Sequence, residues 1–128
     1  MQKDILLSII FRLELNEFMS KENLSNIDKL WERIQSRKGS SSSESYTVQL
    51  LESGEKFCAD KVLEEAQEVR EAVKGKSKED VAYESADLLY HLLVLWEALG
   101  ISPNDVYDEL KKRESTSGIK EKQGRSNS

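Results

Sequence analysis

Two long stretches of helical periodicity, joined only by the turn GKSKED (75–80), limit most strongly what this chain can fold into. The first is predicted to run from about residue 55 to 74, and the second from about residue 78 to 99. Because so short a turn sends the chain back along its own path, the two helices are expected to lie antiparallel and in contact. The fold is therefore predicted to be built around this pair.

The ends and buried faces of the two helices follow from single residues. Gly75 and Gly100 are expected to end them, and Ser77 with Asp80 forms a loose capping box for the second. The second half of that helix, LLYHLLVLW (88–96), is apolar nearly all round and needs burial on several sides. A single chain of this size can hardly cover it, so we expect a homodimer. The buried stripe of the first helix is predicted to be Phe57, Val62, Ala66, Val69 and Val73.

Shorter helices are predicted on the N-terminal side. NIDKLWERIQSRK (26–38) has apolar residues at the i, i+3, i+4, i+7 spacing, with Ser25 or Asn26 as its N-cap. A second short helix is expected from about Thr47 to Gly54, although so short a run also fits an extended segment.

The last helix has the clearest start in the chain. Ser102 is expected to be its N-cap and Pro103 its first residue. Alternating strand patterns of any length are absent, and the chain has one Pro and six Gly. The sequence therefore predicts an all-α bundle of about four to five helices. Three side chains of the last helix are expected to face inward: Val106, Tyr107 and Leu110.

The domain organisation is predicted from composition. An N-terminal helical extension (1–38) is followed by the Gly/Ser stretch GSSSSES (39–45), which is typical of a flexible connector. The all-α domain is expected to occupy residues 46–118, and residues 119–128 are predicted to be a basic, flexible tail.

Charge and cysteine content narrow the class of function. The net charge is −10 over residues 44–110 and +4 over residues 111–128. An acidic body without interleaved basic and aromatic residues does not suit nucleic acid as a partner. We expect no transmembrane segment or signal peptide, because no apolar run nears the roughly 20 residues that span a bilayer and no cleavage site follows the first apolar run. The single cysteine, Cys58, excludes an internal disulfide and fits the cytoplasm.

Two acidic motifs, EEAQE (64–68) and ESAD (84–87), lie on the two long helices. Residues three apart lie nearly on one helical face, so Glu65 projects with Glu68, and Glu84 projects with Asp87. Antiparallel packing would place both pairs at comparable heights above the turn. Four converging carboxylates are strongly destabilising unless a divalent cation binds among them. Oxygen ligands favour Mg²⁺, with Mn²⁺ as an alternative, whereas surface charge without a metal is the simpler explanation of any one pair.

Five ordered blocks carry a resemblance to a known family. They are SYTVQLLESGEKF, KVLEEAQEV, YESADLLYHLLVL, GISPNDVYDELKKR and SGIKEKQGR. The acidic motifs alone resemble those of the all-α nucleoside-triphosphate pyrophosphatases, the MazG-like superfamily. The five blocks together resemble the phosphoribosyl-ATP pyrophosphatases of histidine biosynthesis, over about residues 30–125. Many members carry a preceding cyclohydrolase domain whose metal signature is absent here, so the chain is expected to be monofunctional.

The resemblance implies Mg²⁺-dependent hydrolysis of the α–β phosphoanhydride of 1-(5-phosphoribosyl)-ATP, giving phosphoribosyl-AMP and pyrophosphate. It implies that Glu64 is an outer carboxylate or the base that orients water. The metal ligands that it implies are Glu65, Glu68, Glu84 and Asp87.

Other side chains are candidates for binding the substrate. Lys56 and Lys61 flank the acidic helix, although Lys61 could instead pair with Glu64 or Glu65. Tyr46 lies in the family pattern at the mouth of the site, or could be a core aromatic. His91 is expected to be a hydrogen-bonded core histidine. Six residues near the C-terminus could bind the substrate's phosphates or could equally belong to a solvated tail: Lys111, Arg113, Ser117, Gly118, Lys122 and Arg125.

Two other functions fit parts of the sequence. The first is a housecleaning pyrophosphatase of the same superfamily that acts on ordinary or damaged dNTPs. The second is a non-catalytic helical dimerisation module, which would have no reason to place Glu84 and Asp87 against the core.

Overall fold

The structure, a computed structural model, describes residues 9–10 and 26–114. These residues contain helices and no strands, as the sequence predicted. The expected N-cap alternative Ser25 and the tail 119–128 lie outside them. The helices from residue 26 onward are α1 (26–37), α2 (Tyr46–Glu52), α3 (Glu55–Lys74), α4 (Lys78–Leu99) and α5 (Pro103–Glu114).

The chain divides into two compact units, residues 1–37 and 38–128. The first contains α1, which is amphipathic as predicted, because Ile34 is buried and Leu30 and Trp31 are half-buried. The second contains α2 to α5. The finer division at residues 45 and 118 stays a prediction.

The Gly/Ser stretch before α2 forms hydrogen-bonded turns, and its role as a flexible connector stays a prediction. The N–H groups of Glu44 and Ser45 donate to the Ser41 carbonyl at 3.0 and 3.1 Å. Ser45 is buried and is the N-cap of α2, where its Oγ accepts from the Val48 N–H at 3.3 Å. A serine hydroxyl satisfies an amide that the first helical turn leaves free. The helix therefore begins one residue before the expected Thr47.

α3 and α4 form the antiparallel hairpin that the sequence predicted. Only Gly75, Lys76 and Ser77 connect them, and the two helices pack against each other. Ser77 Oγ accepts from the Asp80 N–H at 3.2 Å, and Gly100 ends α4 with a left-handed φ of 72°. Both predicted ends of α4 are confirmed.

The covered side of α3 differs from the predicted stripe. Cys58 is buried, whereas Phe57 and Val73 are 45% and 57% exposed, so placing those two in the buried stripe was wrong. Neighbouring positions on a helix differ by about 100°, which turns Phe57 away from the side that Cys58 occupies. Half-buried positions follow Cys58 at spacings of three or four residues: Val62, Glu65, Val69 and Ala72. Glu65 thus lies within the covered line of α3.

The core lies between α2 and the second half of α4. His91, Leu93 and Val94 of α4 are buried, and α2 packs on both α3 and α4. Cys58 Sγ donates to the Leu50 carbonyl at 3.2 Å, and burial raises the pKa of the thiol. The cysteine is therefore a packing residue.

α5 begins as predicted. Ser102 Oγ accepts from the Asp105 N–H at 3.3 Å, and Asp105 Oδ2 accepts from the Ser102 N–H at 2.9 Å, which makes a reciprocal cap before Pro103. The inward position predicted for Leu110 was wrong, because its side chain is 56% exposed. Within the described residues, no helix combines the length and apolar character needed to cross a membrane.

Candidate active site

Three carboxylates from the two long helices converge. Glu65 on α3 and Glu84 and Asp87 on α4 each offer one oxygen, and these oxygens all lie within 4.8 Å of one another. The i, i+3 spacing puts Glu84 and Asp87 on one face of α4, and Glu65 lies on the α4-facing side of α3. We call these three residues the acidic cluster. The structure therefore brings together three of the four predicted metal ligands.

The fourth predicted ligand, Glu68, lies at the edge of the acidic cluster. It is exposed and is outside the group of mutually close oxygens. Its charge still reaches the site: the pKa of Glu84 is raised by desolvation and then by the charges of Asp87, Glu68, Glu65 and Asp80. The acidic cluster thus has an excess of negative charge that favours protonation of Glu84.

Lys61 is the cation that the described residues place against this group. Its ammonium lies 3.2 Å from Glu64 Oε1 and 3.9 Å from Glu65 Oε1. Desolvation lowers the pKa of Lys61, but the hydrogen bond to Glu64 and the charges of Tyr46, Glu64 and Glu65 outweigh it and leave the pKa raised. The pairing that the sequence left open is therefore present, and it brings Lys61 beside the acidic cluster.

Tyr46 joins the site through an aromatic group made of Tyr46, Tyr90 and His91. The Tyr46 ring stacks on Tyr90 with centroids 6.4 Å apart, and His91 meets both rings edge-on. The Tyr46 hydroxyl lies 3.4 Å from His91 Nε2, and His91 Nδ1 lies 2.9 Å from the Asp87 carbonyl oxygen. Both ring nitrogens of buried His91 are thus engaged, as expected of a core histidine.

The remaining candidates divide into three that the structure describes and four that it does not. Lys56 is exposed and nine residues before Glu65, a separation that places it about 180° round α3. Lys111 and Arg113 are exposed in the last turn of α5, where Arg113 lies near Glu109. Ser117, Gly118, Lys122 and Arg125 lie outside the described residues. The substrate-binding roles of these seven residues therefore stay predictions.

Two features of the site were not predicted. Asp80 contributes to the electrostatic environment of Glu84, and its i, i+4 spacing could have indicated this. The Tyr90 hydroxyl bonds Thr47 Oγ1 at 2.5 Å across 43 residues of sequence, and no local pattern signals such a pair.

The donor set fits a hard divalent cation. Within residues 26–114, no cation or hydrogen-bond donor contacts the carboxylates of Glu84 and Asp87. The acidic cluster offers carboxylate oxygens and neither sulfur nor imidazole nitrogen. Mg²⁺ and Mn²⁺ prefer such oxygen ligands.

Three known proteins are similar in sequence to most of this chain. The phosphoribosyl-ATP pyrophosphatase of Azospirillum brasilense is 50% identical over 100 residues, which cover 77% of this chain and 89% of that protein. The enzyme of the same name from Gluconobacter oxydans (strain 621H) is 48% identical over 100 residues, covering 77% and 74%. The histidine biosynthesis bifunctional protein HisIE of Wolinella succinogenes is 40% identical over 102 residues, covering 80% of this chain and 44% of that protein.

The family described as phosphoribosyl-ATP pyrophosphohydrolase (PRA-PH) matches residues 27–114. This range includes the whole acidic cluster, Lys61 and the aromatic group. The chain therefore belongs to the phosphoribosyl-ATP pyrophosphohydrolase family.

Proposed function

We propose that this chain hydrolyses the α–β phosphoanhydride of 1-(5-phosphoribosyl)-ATP to phosphoribosyl-AMP and pyrophosphate, a step of histidine biosynthesis. The observation that carries the proposal is the convergence of Glu65, Glu84 and Asp87 in a member of this family. In the reaction a water oxygen bonds to phosphorus, the bridging P–O bond breaks, and the water proton passes to a base. Such chemistry depends mainly on positioning and on stabilising the phosphate charge.

The acidic cluster and Glu68 are proposed to hold Mg²⁺. When bound, the ion supplies positive charge that neutralises the triphosphate and makes the attacking water more acidic. Glu65, Glu84 and Asp87 contribute the close oxygens, and Glu68, whose charge helps to raise the pKa of Glu84, is proposed as the fourth ligand. These carboxylates also exclude a bare anion, so the substrate is expected to bind only together with the metal.

Lys61 and Glu64 are proposed to act at the rim of the acidic cluster. The Lys61 ammonium lies 3.2 Å from Glu64 and 3.9 Å from Glu65, and we propose that it contacts a substrate phosphate. Glu64 is 58% exposed and open to water, which suits an outer carboxylate that orients the attacking water. Tyr46, which is 49% exposed at the start of α2, is proposed to contact the substrate's phosphates.

The test is release of pyrophosphate from phosphoribosyl-ATP by the purified chain with Mg²⁺. We expect EDTA to abolish activity and Asp87→Asn to reduce kcat/KM at least about 100-fold, because loss of a few kcal/mol of charge stabilisation has that effect. Glu79→Gln is the matched control, because Glu79 is exposed on the same helix outside the acidic cluster. Full activity in EDTA or in Asp87→Asn would contradict the proposal.

A dNTP panel with Mg²⁺ tests the substrate. Faster turnover of any dNTP than of phosphoribosyl-ATP would replace the assignment by a housecleaning pyrophosphatase. Absence of activity on all of them, with no stabilisation by Mg²⁺, would leave the non-catalytic dimerisation module.

We further propose that the protein is a homodimer in the cytoplasm without a nucleic-acid partner. Large apolar side chains on both long helices are left in water by the single chain, which supports pairing. They include Phe57, Leu63, Val73, Tyr83, Leu89 and Leu99. Size-exclusion chromatography with light scattering should give twice the chain mass, and Leu89→Lys should shift the protein toward monomer. A wild-type monomer at micromolar concentration would contradict the dimer.

A further inference from the structure

Tyr83 places an exposed aromatic ring directly beside the acidic cluster. It is 68% exposed, the highest value among the exposed large apolar residues of the described chain. It precedes Glu84 in sequence and lies four residues before Asp87 on α4. In an α-helix that separation corresponds to about 6 Å along the axis and about 40° around it. Within residues 26–114 no hydrogen bond or ring contact holds Tyr83, so its aromatic face is open to solvent.

Three of the four positions that adjoin Tyr83 on the surface of α4 are acidic. These positions, three and four residues away in each direction, are Glu79, Asp80, Ala86 and Asp87. The positions at the same spacings from Leu89 contain no acidic residue, so Leu89 belongs to a more apolar surface. A ligand of Tyr83 is therefore expected to combine a flat apolar face with positive charge.

The base of the proposed substrate has both properties. When a ribosyl carbon is bonded to N1 of adenine, the lone pair of N1 is used in that bond. The ring then carries a positive charge for as long as its exocyclic amino group keeps both protons. The bases of ATP and of the ordinary dNTPs lack such a bond and are neutral near pH 7. The charge of the base thus distinguishes the proposed substrate from other nucleoside triphosphates.

We propose that Tyr83 determines specificity: its ring stacks on the positively charged purine of the substrate while the phosphates lie at the acidic cluster. A single ribose separates the purine from the α-phosphate, so the base must lie close to the acidic cluster when the α–β bond is there. The placement of the phosphates rests on the proposed function. The attraction of a cation to the face of an aromatic ring, and to the neighbouring carboxylate of Asp80, supplies the selectivity.

The first test measures binding and needs no turnover. ATP and 1-methyl-ATP carry the same triphosphate, but methylation at N1 makes the base positive. We expect calorimetry with Mg²⁺ to give a Kd for 1-methyl-ATP about 2- to 5-fold below that for ATP, the range for one cation–π contact at an exposed site. Inorganic tripolyphosphate, which has no base, should bind the wild type and all Tyr83 variants alike.

Two substitutions separate an aromatic face from mere apolar cover. Tyr83→Phe keeps the face and loses only the hydroxyl, so it should retain the preference for 1-methyl-ATP. Tyr83→Leu keeps apolar surface but has no π-system, so it should lose the preference. Equal Kd values for the two nucleotides in the wild type, or a preference that survives in Tyr83→Leu, would overturn the proposal.

The second test is kinetic and uses phosphoribosyl-ATP. Tyr83→Leu should raise KM about 5- to 20-fold, because base stacking on an aromatic side chain is lost. The kcat should change less than about twofold, since the stacked base is bound equally in the ground and transition states. Leu110→Ala, at a 56% exposed position on α5, is the control and should leave KM unchanged. An unchanged KM in Tyr83→Leu would contradict the role of Tyr83.

The alternative is that pairing of two chains buries Tyr83. Light scattering on Tyr83→Leu should give the same mass as for the wild type. A shift toward monomer, with tripolyphosphate binding weakened as much as nucleotide binding, would assign Tyr83 to the interface and overturn the proposal. If the wild type prefers 1-methyl-ATP but does not turn over phosphoribosyl-ATP, the proposed function fails and the binding role of Tyr83 stands. If it turns over phosphoribosyl-ATP without that preference, only the role of Tyr83 fails.

Discussion

The acidic faces of α3 and α4 share the same spacing of carboxylates but differ in their surroundings. On α3, Lys61 lies 3.2 Å from Glu64 and 3.9 Å from Glu65, so a cation of the protein itself offsets part of the charge. On α4, no cation of the described residues contacts Glu84 or Asp87. Desolvation and the charges of neighbouring carboxylates accordingly raise the pKa of Glu84.

The difference indicates which half of the site would depend more on the proposed Mg²⁺. Neutralising a carboxylate beside Lys61 would leave the lysine charge in excess, whereas neutralising one on α4 relieves repulsion. Glu84 is therefore expected to cost stability in the metal-free protein and to gain most from the proposed Mg²⁺.

The largest effect is expected from removing an α4 carboxylate. Glu84→Gln should reduce kcat/KM at least about 100-fold, because it removes one of the three close oxygens. Glu68→Gln should cost only about 10-fold, since Glu68 lies at the edge. Steady-state kinetics at saturating Mg²⁺ provides the comparison, and equal losses in the two variants would show that α3 and α4 contribute alike.

Added metal should stabilise the protein through the same carboxylates. At a Mg²⁺ concentration 100 times Kd, binding contributes about 2.7 kcal/mol, which corresponds to a rise in Tm of roughly 10 °C for a domain of this size. Thermal denaturation with and without EDTA measures it. Glu71→Gln, on α3 outside the acidic cluster and paired with Lys74, should retain the rise, and Glu84→Gln should lose most of it. A rise that persists in Glu84→Gln would place the metal elsewhere.

Lys61→Met should raise KM about 10-fold, because the substrate loses one phosphate contact and Glu65 loses its partner. The matched control is Lys74→Met, which breaks the exposed Lys74–Glu71 pair on the same helix and should leave KM unchanged. If both variants behave alike, the lysine acts on the general charge of α3 and has no specific place at the site.

The smallest effect concerns pH. The pKa of Glu84 is raised above its ordinary value of 4.5, so the cost of keeping it ionised is present in full above the raised pKa. Metal-free protein should therefore gain stability from this group as the pH falls from the raised pKa toward 4.5. The hydrogen bond and charge of Lys112 lower the pKa of Glu109 on α5, so that group should lose its contribution as the pH falls below 4.5. Urea denaturation in EDTA measures the free energy of unfolding of the wild type and of Glu84→Gln against pH. If the variant gains as much stability as the wild type when the pH falls, the gain does not come from Glu84.

Features that depend on neighbouring residues were predictable from the sequence. Ser77, Gly100 and the Ser102–Pro103 start were correct, because caps are determined by residues within about four positions. The convergence of Glu65 with Glu84 and Asp87 followed from helical spacing and a short turn.

Features that depend on tertiary packing were not predictable. Phe57 and Cys58 are adjacent and both apolar, and only the docking of α2 decides that Cys58 faces the core. The Tyr46–His91 contact joins residues 45 apart in sequence, so no periodicity signals it. The sequence left open whether Lys61 binds substrate phosphates or pairs with Glu64 or Glu65. The structure shows the pairing, and the pairing places Lys61 beside the acidic cluster.

The bend between α3 and α4 lies at equal distances along the chain from Glu65 and Asp87. Glu65 lies ten residues before Gly75, and Asp87 lies ten residues after Ser77, so at 1.5 Å per residue both stand about 15 Å from the bend. One residue inserted into α4 between Asp80 and Glu84 would rotate Glu84 and Asp87 by about 100° about the helix axis and carry them away from Glu65. The number of residues between the bend and each acid is therefore expected to tolerate change less well than the identity of those residues.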